Sequence, residues 1–309
     1  MAKLIRDYIL VLVGFIFIVA SPALLYGRHD PLMPGMEREN TLGFHIIDYI
    51  QQVEEIIRKL FQKETWLHNQ SVIKVPRAEG FSLFEILPQR LFYSFEILAY
   101  SLLIAISIAF IFSLLIQLSP RAIKRVASHV LFLLGSLPDI FYIIALQVFV
   151  IYFFKRTGIL LVQIAVFKEK IYLAPILCLT IIPTVYLIRM LLLHLEEESE
   201  KEYSEFAKSK GLARVYIMII HNLRNALNSL ANRTKIIAAF MLSNLFIIET
   251  LFNIDGIMPL LVRTSGVDQF IILSAIFTTI YFCLFIITFF KLIYQKFLKR
   301  EGRIHENIV

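Results

Sequence analysis

The sequence predicts an all-α protein that crosses a membrane about six times. Its 309 residues are 58% hydrophobic and include 27 Phe, and its mean hydropathy is +0.72, which is more apolar surface than one soluble core of this length buries. A helix needs roughly 20 apolar residues to cross the hydrocarbon core of a bilayer. Runs of about that length occur near Tyr8–Leu25, Leu91–Leu118, Val130–Phe154, Tyr172–Leu193, Ala231–Phe252 and Phe270–Tyr294.

These runs divide the chain into four parts. Residues 1–26 form the first span, residues 91–295 form a core with five spans, and residues 296–309 form a tail. Residues 27–90 are expected to form a small extracytoplasmic cap with a helix over 46–61, an ordinary connector being the alternative. A cleaved signal peptide is the alternative for the first span, but its apolar run exceeds the usual roughly 7 to 15 residues.

The positive charges predict the orientation. Lys and Arg resist translocation, so Lys3 and Arg6 place the N-terminus in the cytoplasm. With six crossings, the C-terminal tail is then cytoplasmic as well. The basic cluster of Arg121, Lys124 and Arg125 is also cytoplasmic in this topology. The basic residues of the segment between the third and fourth spans disagree with this topology: Lys155, Arg156, Lys168 and Lys170.

Several function classes are disfavoured by the composition. The net charge of +7 comes from residues beside the spans rather than from a basic domain, so nucleic acid is not an expected partner. No P-loop, metal-ligand spacing or hydrolase motif occurs, and we expect neither catalysis nor a metal site. The cysteines Cys178 and Cys283 lie inside apolar runs and are predicted to be packing residues.

The most polar segment of the core covers residues 196–228. Acidic residues begin it and Lys208 and Lys210 follow, a distribution that stabilises a helix against its own dipole. Gly211 then suits a left-handed helix cap, and a second helix is predicted to start near Ala213. Two helices joined by a glycine bend form a rigid shape that fits a groove on a partner; a solvated connector is the alternative.

This segment resembles the EAA loop of binding-protein-dependent ABC permeases. Glu205, Phe206, Ala207, three residues and Gly211 match the first half of the family pattern, and the second half is His221-Asn222-Leu223-Arg224-Asn225-Ala226-Leu227. Phe206, His221 and Arg224 replace the consensus Ala, Ile and Pro. The His-x-Leu/Ile-Arg-Asn-Ala-Leu form is common in the first permease of oligopeptide, dipeptide and nickel systems.

Two further stretches carry the same resemblance. Residues 246–257 are similar to the family element Phe-Ile-Ile-Glu-x-Ile-Phe-x-Ile-Pro-Gly-Leu, with Glu249 and Gly256 retained and Asp255 in place of Pro. Residues 137–141 resemble its Val-Pro-Ser-Phe stretch. The likeness covers roughly residues 85 to 300. Near the first span, Arg28-His29-Asp30-Pro31 stands where the family has Pro-Gly-Asp-Pro, so docking of a substrate-binding protein is left open.

The resemblance implies a multi-pass protein of the bacterial cytoplasmic membrane, with the type I importer fold. It implies a second homologous permease and two cytoplasmic ATPases, which carry the ATP and Mg²⁺; no cofactor is expected on this chain. The ATPase contact would involve the residues of the EAA loop: Glu205, Phe206, Ala207, Lys208, Gly211, Leu212, Ala213, His221, Arg224 and Asn225. Peptides are the leading substrate, followed by nickel or another small solute.

Ionisable residues at membrane depth mark a pathway or a buried pair by default. Asp139 and Glu249 are therefore candidates for a pathway or gate, and a position of Asp139 near the outer interface is the alternative. Arg189 is expected to reach the cytoplasmic interface. Four polar residues are predicted to be helix-packing hydrogen bonders: His129, Gln147, Asn232 and Asn244.

Two rival functions stay open at this point. A sensor or scaffold with the permease fold would pair with ATPases without accumulating substrate. A channel or secondary transporter would need no ATPase and should show helices interrupted near the midplane, for which Pro138 and Pro183 are the only signals.

Overall fold

The computed structural model of the chain describes residues 2–26, 43–62, 83–164, 170–231, 234–264 and 266–280. All regular structure in these ranges is helical. We number the helices α1 (Ala2–Tyr26), α2 (Ile46–Phe61), α3 (Leu83–Leu118), α4 (Arg121–Ser136), α5 (Asp139–Thr157), α6 (Leu173–Ser199), α7 (Glu202–Ser209), α8 (Arg214–Tyr216), α9 (Leu223–Ala231), α10 (Thr234–Leu251), α11 (Ile257–Arg263) and α12 (Gly266–Ile280). A short π-helical turn, Ile217–Asn222, joins α8 to α9.

Within the described ranges, four helices are long and apolar enough to cross a membrane. Their spans are Arg6–Leu25, Ile86–Leu118, Asp139–Thr157 and Leu173–Ser199. Two shorter apolar helices, Ile236–Leu251 and Gly266–Ile280, match the predicted fifth and sixth spans. The remainder of the sixth span, Cys283, Asn232, the C-terminal tail and much of the predicted outer cap lie outside the described residues.

The third span is α5, Asp139–Thr157, which starts later than the predicted apolar run near Val130–Phe154. That run is divided between α4 and α5, and the helices are separated at Leu137 and Pro138. Leu137 adopts an extended backbone (ψ 139°), as expected for a residue before proline. The basic cluster at Arg121 lies in the first turns of α4 rather than in a loop.

The chain divides into two compact units. One contains residues 1–91 and 260–309, and the other contains residues 92–259. In the first unit, α2 has the bounds predicted from the sequence, and its start is joined to the end of α1 by the hydrogen bond from His45 N to Leu24 O (2.9 Å). Helix α12 packs on α1 through Tyr8, whose hydroxyl lies 2.7 Å from Thr278 Oγ1.

Helix α6 is the central element of the second unit. The helices α4, α5, α9 and α10 all pack against it, and 56% of its most apolar window is buried. Near its start, the Tyr93 hydroxyl of α3 donates to Ile171 O (2.8 Å). Cys178 is buried in α6, in agreement with its predicted packing role. A buried, rigid α6 is therefore the support on which the polar segment that follows is built.

A tight turn follows α10 in the same unit. Asn253 takes a left-handed conformation (φ 50°), which Asn tolerates. The Glu249 side chain is 0% exposed, and its Oε2 accepts a hydrogen bond from Met258 N (2.9 Å). A Cβ added to Gly256 would lie 2.2 Å from the Glu249 carboxylate. Only glycine at position 256 therefore lets the carboxylate reach the start of α11.

We predict that Gly256→Ala destabilises the protein. The methyl group would displace the buried Glu249 carboxylate and break its bond to Met258, with a cost of about 1 to 3 kcal/mol. Thermal unfolding of the detergent-solubilised protein measures the effect. Gly14→Ala is the matched control, because no atom lies within 4 Å of the Cβ that it adds to α1. An unchanged unfolding midpoint in Gly256→Ala would contradict this role of Glu249.

Candidate functional site

The polar segment after α6 folds as two arms joined at Gly211. The first arm is α7 and the second consists of α8, the π turn and α9; together we call residues 200–231 the knob. The sequence predicted that the first helix begins at Glu196, which is wrong. Glu196 to Ser199 complete the last turn of α6, and the chain breaks at Glu200 and Lys201 before α7 starts at Glu202.

Helix α7 buries one narrow face and exposes the other. Ser204 and Ala207 are buried, one helical turn apart. Glu205 and Lys208 are exposed, and the Phe206 side chain is 61% exposed with the Lys210 ammonium 4.4 Å above its ring. Short Ser and Ala side chains bring α7 close to the rest of the knob, while a large aromatic side chain faces outward.

The bend at Gly211 is a Schellman motif. Gly211 has φ +77°, its N–H donates to Lys208 O (2.9 Å), and Leu212 N donates to Ala207 O (3.3 Å). These two bonds satisfy carbonyl groups at the end of α7. The left-handed cap predicted at Gly211 is confirmed. Ala213 then turns back to an extended conformation (φ −61°, ψ 139°), and α8 begins at Arg214, as predicted.

The second arm is packed on α6 by apolar contacts. Met218 of the π turn joins a buried cluster whose other members are Leu191, Leu195, Leu223 and Ala226. The π turn is the irregular part of this arm, a feature that is frequent at functional sites. Inside it, Asn222 is buried, and its amide donates to Ser204 Oγ at 3.5 Å. Ser204 and Asn222 thus connect the two arms.

A second connection is centred on Glu198, which the sequence did not single out. Its carboxylate is 5% exposed and accepts hydrogen bonds from Lys201 Nζ and from the Tyr203 hydroxyl. The same hydroxyl accepts from Asn225 Nδ2 of α9 (3.2 Å). Burial and the bond to Glu198 raise the pKa of Tyr203, and that carboxylate also raises the pKa of Lys201. Both groups therefore stay protonated donors at neutral pH.

A shallow cleft of about 390 Å³ lies between the two arms. Tyr203, Ile220, His221, Arg224 and Asn225 line it. Arg224 and Asn225 are exposed, and the His221 ring packs edge-on against Tyr216. The structure thus brings the predicted residues His221, Arg224 and Asn225 together beside α7, on the side of the segment that carries Tyr203.

The two predicted pathway residues lie at different depths of the second unit. Asp139 is the first residue of α5, and the Asn244 amide of α10 lies within hydrogen-bonding reach of its carboxylate. Glu249 is nearer to the end of α10 and is enclosed by the turn that contains Gly256. The structure therefore does not combine Asp139 and Glu249 into one site.

Contacts of the residues around Asp139 define its level along α6. A Cβ on Gly135 would lie 3.4 Å from Val185 Cγ1, and Cys178 Sγ lies 4.0 Å from the Tyr142 carbonyl oxygen. Asp139 is therefore opposite the stretch of α6 between Cys178 and Val185, inside the apolar run. Asn244 lies roughly 10 Å or more from both ends of α10, at a rise of 1.5 Å per residue. Asp139 is also the first residue of the candidate span Asp139–Thr157, so its position near the outer interface stays a prediction.

A charge at the centre of a membrane span is costly. A carboxylate at the centre of a membrane helix costs about 2.5 to 3.5 kcal/mol, and its attraction to the helix N-terminus returns only about 0.3 to 1 kcal/mol. Asp139, as the first residue of its candidate span, stands where this cost is smaller and where the helix N-terminus favours its charge. Of the other polar residues, Gln147 donates to Leu251 O (3.1 Å) and joins α5 to α10, as predicted for a packing residue. His129 bonds only within its own helix, to Arg125 O.

We predict that Glu198→Gln loosens the knob without unfolding the bundle. The neutral amide weakens its charge-assisted bonds to Lys201 and Tyr203, each worth about 1.5 to 3 kcal/mol. Amide hydrogens of residues 201–211 should exchange at least about tenfold faster, as measured by hydrogen-exchange mass spectrometry. Glu200→Gln is the matched control, because Glu200 is exposed. Equal exchange in both variants would show that Glu198 does not stabilise α7.

The knob and Asp139 both lie in the part of the chain that matches a known protein family. The family described as binding-protein-dependent transport system inner membrane component matches residues 101–301. The dipeptide transport system permease protein DppB of Haemophilus influenzae is 34% identical over 88 residues, which is 28% of this chain and 26% of that protein. The family match covers well over half of the chain, and the protein therefore belongs to the binding-protein-dependent transport system inner membrane components.

Proposed function

We propose that this chain is a permease subunit of an ATP-driven importer of peptides. It pairs with a second, homologous permease, and the translocation path lies at their interface. Two cytoplasmic ATPases bind ATP and Mg²⁺, close, and pull on the knob, which switches the path between outward and inward access. The N- and C-termini are cytoplasmic, and the chain itself carries no catalytic residue.

The geometry of the knob is the observation that carries this proposal. Its two arms are connected by Glu198, Tyr203 and Asn225, so α7 moves with α6 rather than as a loose loop. The exposed face of α7 presents Phe206 together with the charged residues Glu205 and Lys208. An aromatic anchor with charges around it is the usual composition of an energetic contact, and a short helix of this kind fits a groove on a partner.

The likeness to a named dipeptide permease supports peptides as the substrate. That likeness covers only about a quarter of each chain, and nickel or another small solute is the second candidate. An extracytoplasmic substrate-binding protein would deliver the substrate to the outer surface of the assembly. In this arrangement the residues Glu205 to Ala213 contact the ATPase directly, while His221, Arg224 and Asn225 support α7 from the second arm.

We predict that Phe206→Asp prevents the ATPases from binding. The tagged, detergent-solubilised wild type should retain a second permease and P-loop ATPases, identified by mass spectrometry. A carboxylate in an apolar groove is strongly unfavourable, so the variant should lose the ATPases, at least tenfold, and keep the permease.

The control for this capture is Phe44→Asp. Phe44 is 82% exposed and lies outside the knob, so this variant should retain all partners. Recovery of the wild-type protein without any ATPase would reject the proposed assembly and favour a channel or secondary transporter. ATPases that bind without any accumulation of substrate would favour the sensor.

We predict that Gly211→Val uncouples ATP hydrolysis from transport, whereas Gly211→Asn does not. No atom lies within 4 Å of a Cβ at Gly211, so the only penalty is the left-handed backbone. That penalty is about 1 to 2 kcal/mol for an ordinary residue and smaller for Asn. Transport and ATP hydrolysis of the reconstituted assembly measure the effect. Full coupling in a well-expressed Gly211→Val assembly would reject the role of the bend.

A further inference from the structure

We infer that α2 is an interfacial helix, which lies in the surface of the bilayer and buries one of its faces among the lipids. The inference goes beyond the proposed function, because it needs neither a peptide substrate nor an ATPase. With the N-terminus in the cytoplasm, the lipids in contact with α2 are those of the outer leaflet. A reversed topology would change the leaflet but not the contact itself.

Helix α2 has three faces, each of which runs along its whole length at about 100° per residue. The least exposed face is turned toward the rest of its compact unit and contains Tyr49, Val53, Ile56 and Leu60. The second face is apolar, has side chains that are 41% to 87% exposed, and contains Ile46, Ile50, Ile57 and Phe61. The third face is polar and contains Asp48, Gln51, Gln52, Glu55, Arg58 and Lys59.

The apolar surface of α2 is wider than the surface that the protein covers. The first two faces are adjacent and together take up about half of the circumference of the helix. Helix α2 packs against α1, and Ile56 is 0% exposed, so the first face is covered. The side chains of the second face, with Phe61 at 87% exposure, form a continuous apolar stripe, and such a surface marks an interaction site.

Backbone contacts place the start of α2 at the end of a membrane helix. His45 N donates to Leu24 O (2.9 Å) and Gly43 N donates to Leu25 O (3.3 Å). Leu25 is the last residue of the candidate span Arg6–Leu25. The first turn of α2 therefore lies at the level where the hydrocarbon core meets the headgroups.

The middle of α2 lies at the same level. Phe277 of α12 contacts both Tyr8 and Phe15 of α1, so the other end of α12, at Gly266, is near the end of α1. A Cβ on Gly266 would lie 3.5 Å from Gln52 Nε2. Helix α2 thus passes the adjacent ends of two apolar helices.

A lipid surface fits the two outer faces of α2. A polar face along the whole helix would be costly inside the hydrocarbon core, and an exposed apolar face of the same length is unfavourable in water. Both are satisfied at the boundary, where interfacial helices bury their apolar face by about 5 to 10 Å. Lipid also surrounds the exposed side chains near the same end of α1, such as Ile18 and Leu25.

Apolar burial holds α2 in this position. The charged residues of the helix are Asp48, Glu54, Glu55, Arg58 and Lys59. Because acidic residues outnumber basic ones, anionic headgroups do not attract the helix. The contact is therefore expected in a neutral lipid as well.

The test measures what surrounds a nitroxide attached to α2. The natural cysteines are first removed by Cys178→Ala and Cys283→Ala, and the chain, with the partners that it retains, is reconstituted into phosphatidylcholine vesicles. Single cysteines are then labelled with a nitroxide. Electron paramagnetic resonance measures its collisions with oxygen, which concentrates in hydrocarbon, and with a nickel chelate, which stays in water. Only variants that elute in gel filtration at the volume of the unlabelled parent are measured.

The labelled positions form two pairs, each with a control on the polar face: Ile50→Cys with Gln51→Cys, and Ile57→Cys with Lys59→Cys. At Ile50 and Ile57, collisions with oxygen should exceed those with nickel, and at Gln51 and Lys59 the order should reverse. Ile50 and Ile57 are about 10 Å apart along the helix axis. Their labels should nevertheless report the same depth, because the helix lies in the plane of the membrane.

Three results would overturn the inference. Nickel collisions that dominate at all four positions would show that α2 lies in water. Few collisions of either kind at Ile50 and Ile57 would show that protein covers this face, such as the second permease or a substrate-binding protein. A label at Ile57 that lies roughly 10 Å deeper than the label at Ile50 would show that α2 descends along α1 into the hydrocarbon core.

Discussion

The carboxylate of Glu198 is the interaction on which the knob depends. It lies in the last turn of α6, the most buried of the helices long enough to span a membrane, and it receives the first polar side chains of the segment that follows. Through Tyr203 and Asn225 it fixes α7 to α9. Without it, the two arms would be connected only by the Ser204–Asn222 contact, the apolar cluster and the backbone around Gly211. A buried carboxylate that accepts two hydrogen bonds thus makes the end of a membrane helix continuous with the knob.

Features that depend on local backbone chemistry were predictable from the sequence. The left-handed cap at Gly211 was predicted from a helix that ends in lysines, and the bounds of α2 were also predicted correctly. Pro138 was noted as a signal of an interrupted helix, but the third span was still drawn through it, because a hydropathy average over 20 residues does not register a proline within an apolar run. Glu198 was missed because it is one of several glutamates in a row, and only the tertiary position of Tyr203 and Lys201 distinguishes it. The π turn has no sequence signal that we recognise.

Tertiary position also distinguishes the two acidic residues in the spans, Asp139 and Glu249. From the sequence, Asp139 and Glu249 were equivalent candidates for a pathway or gate. Glu249 is fully buried and its carboxylate reaches a backbone N–H across Gly256, so its geometry is that of a side chain that stabilises a turn. Asp139 is partly exposed beside an amide. Burial and hydrogen-bond partners, which spacing does not reveal, separate a fully buried carboxylate that stabilises a turn from one that is partly exposed.

The knob is connected to the surroundings of Asp139 through α6, which packs against both α5 and α9. Helix α6 runs from the level of Asp139 to Glu198, and α9 leads toward α10, which carries Asn244. A packed helix transmits displacement with little deformation, because protein interiors are dense and compress little. A pull on α7 is therefore delivered to α6 and α9 together, since Glu198, Tyr203 and Asn225 connect them. Because α5 packs on both α6 and α10, a relative tilt of those two helices changes the surroundings of Asp139. The knob and the break at Pro138 are therefore parts of one packed set of helices.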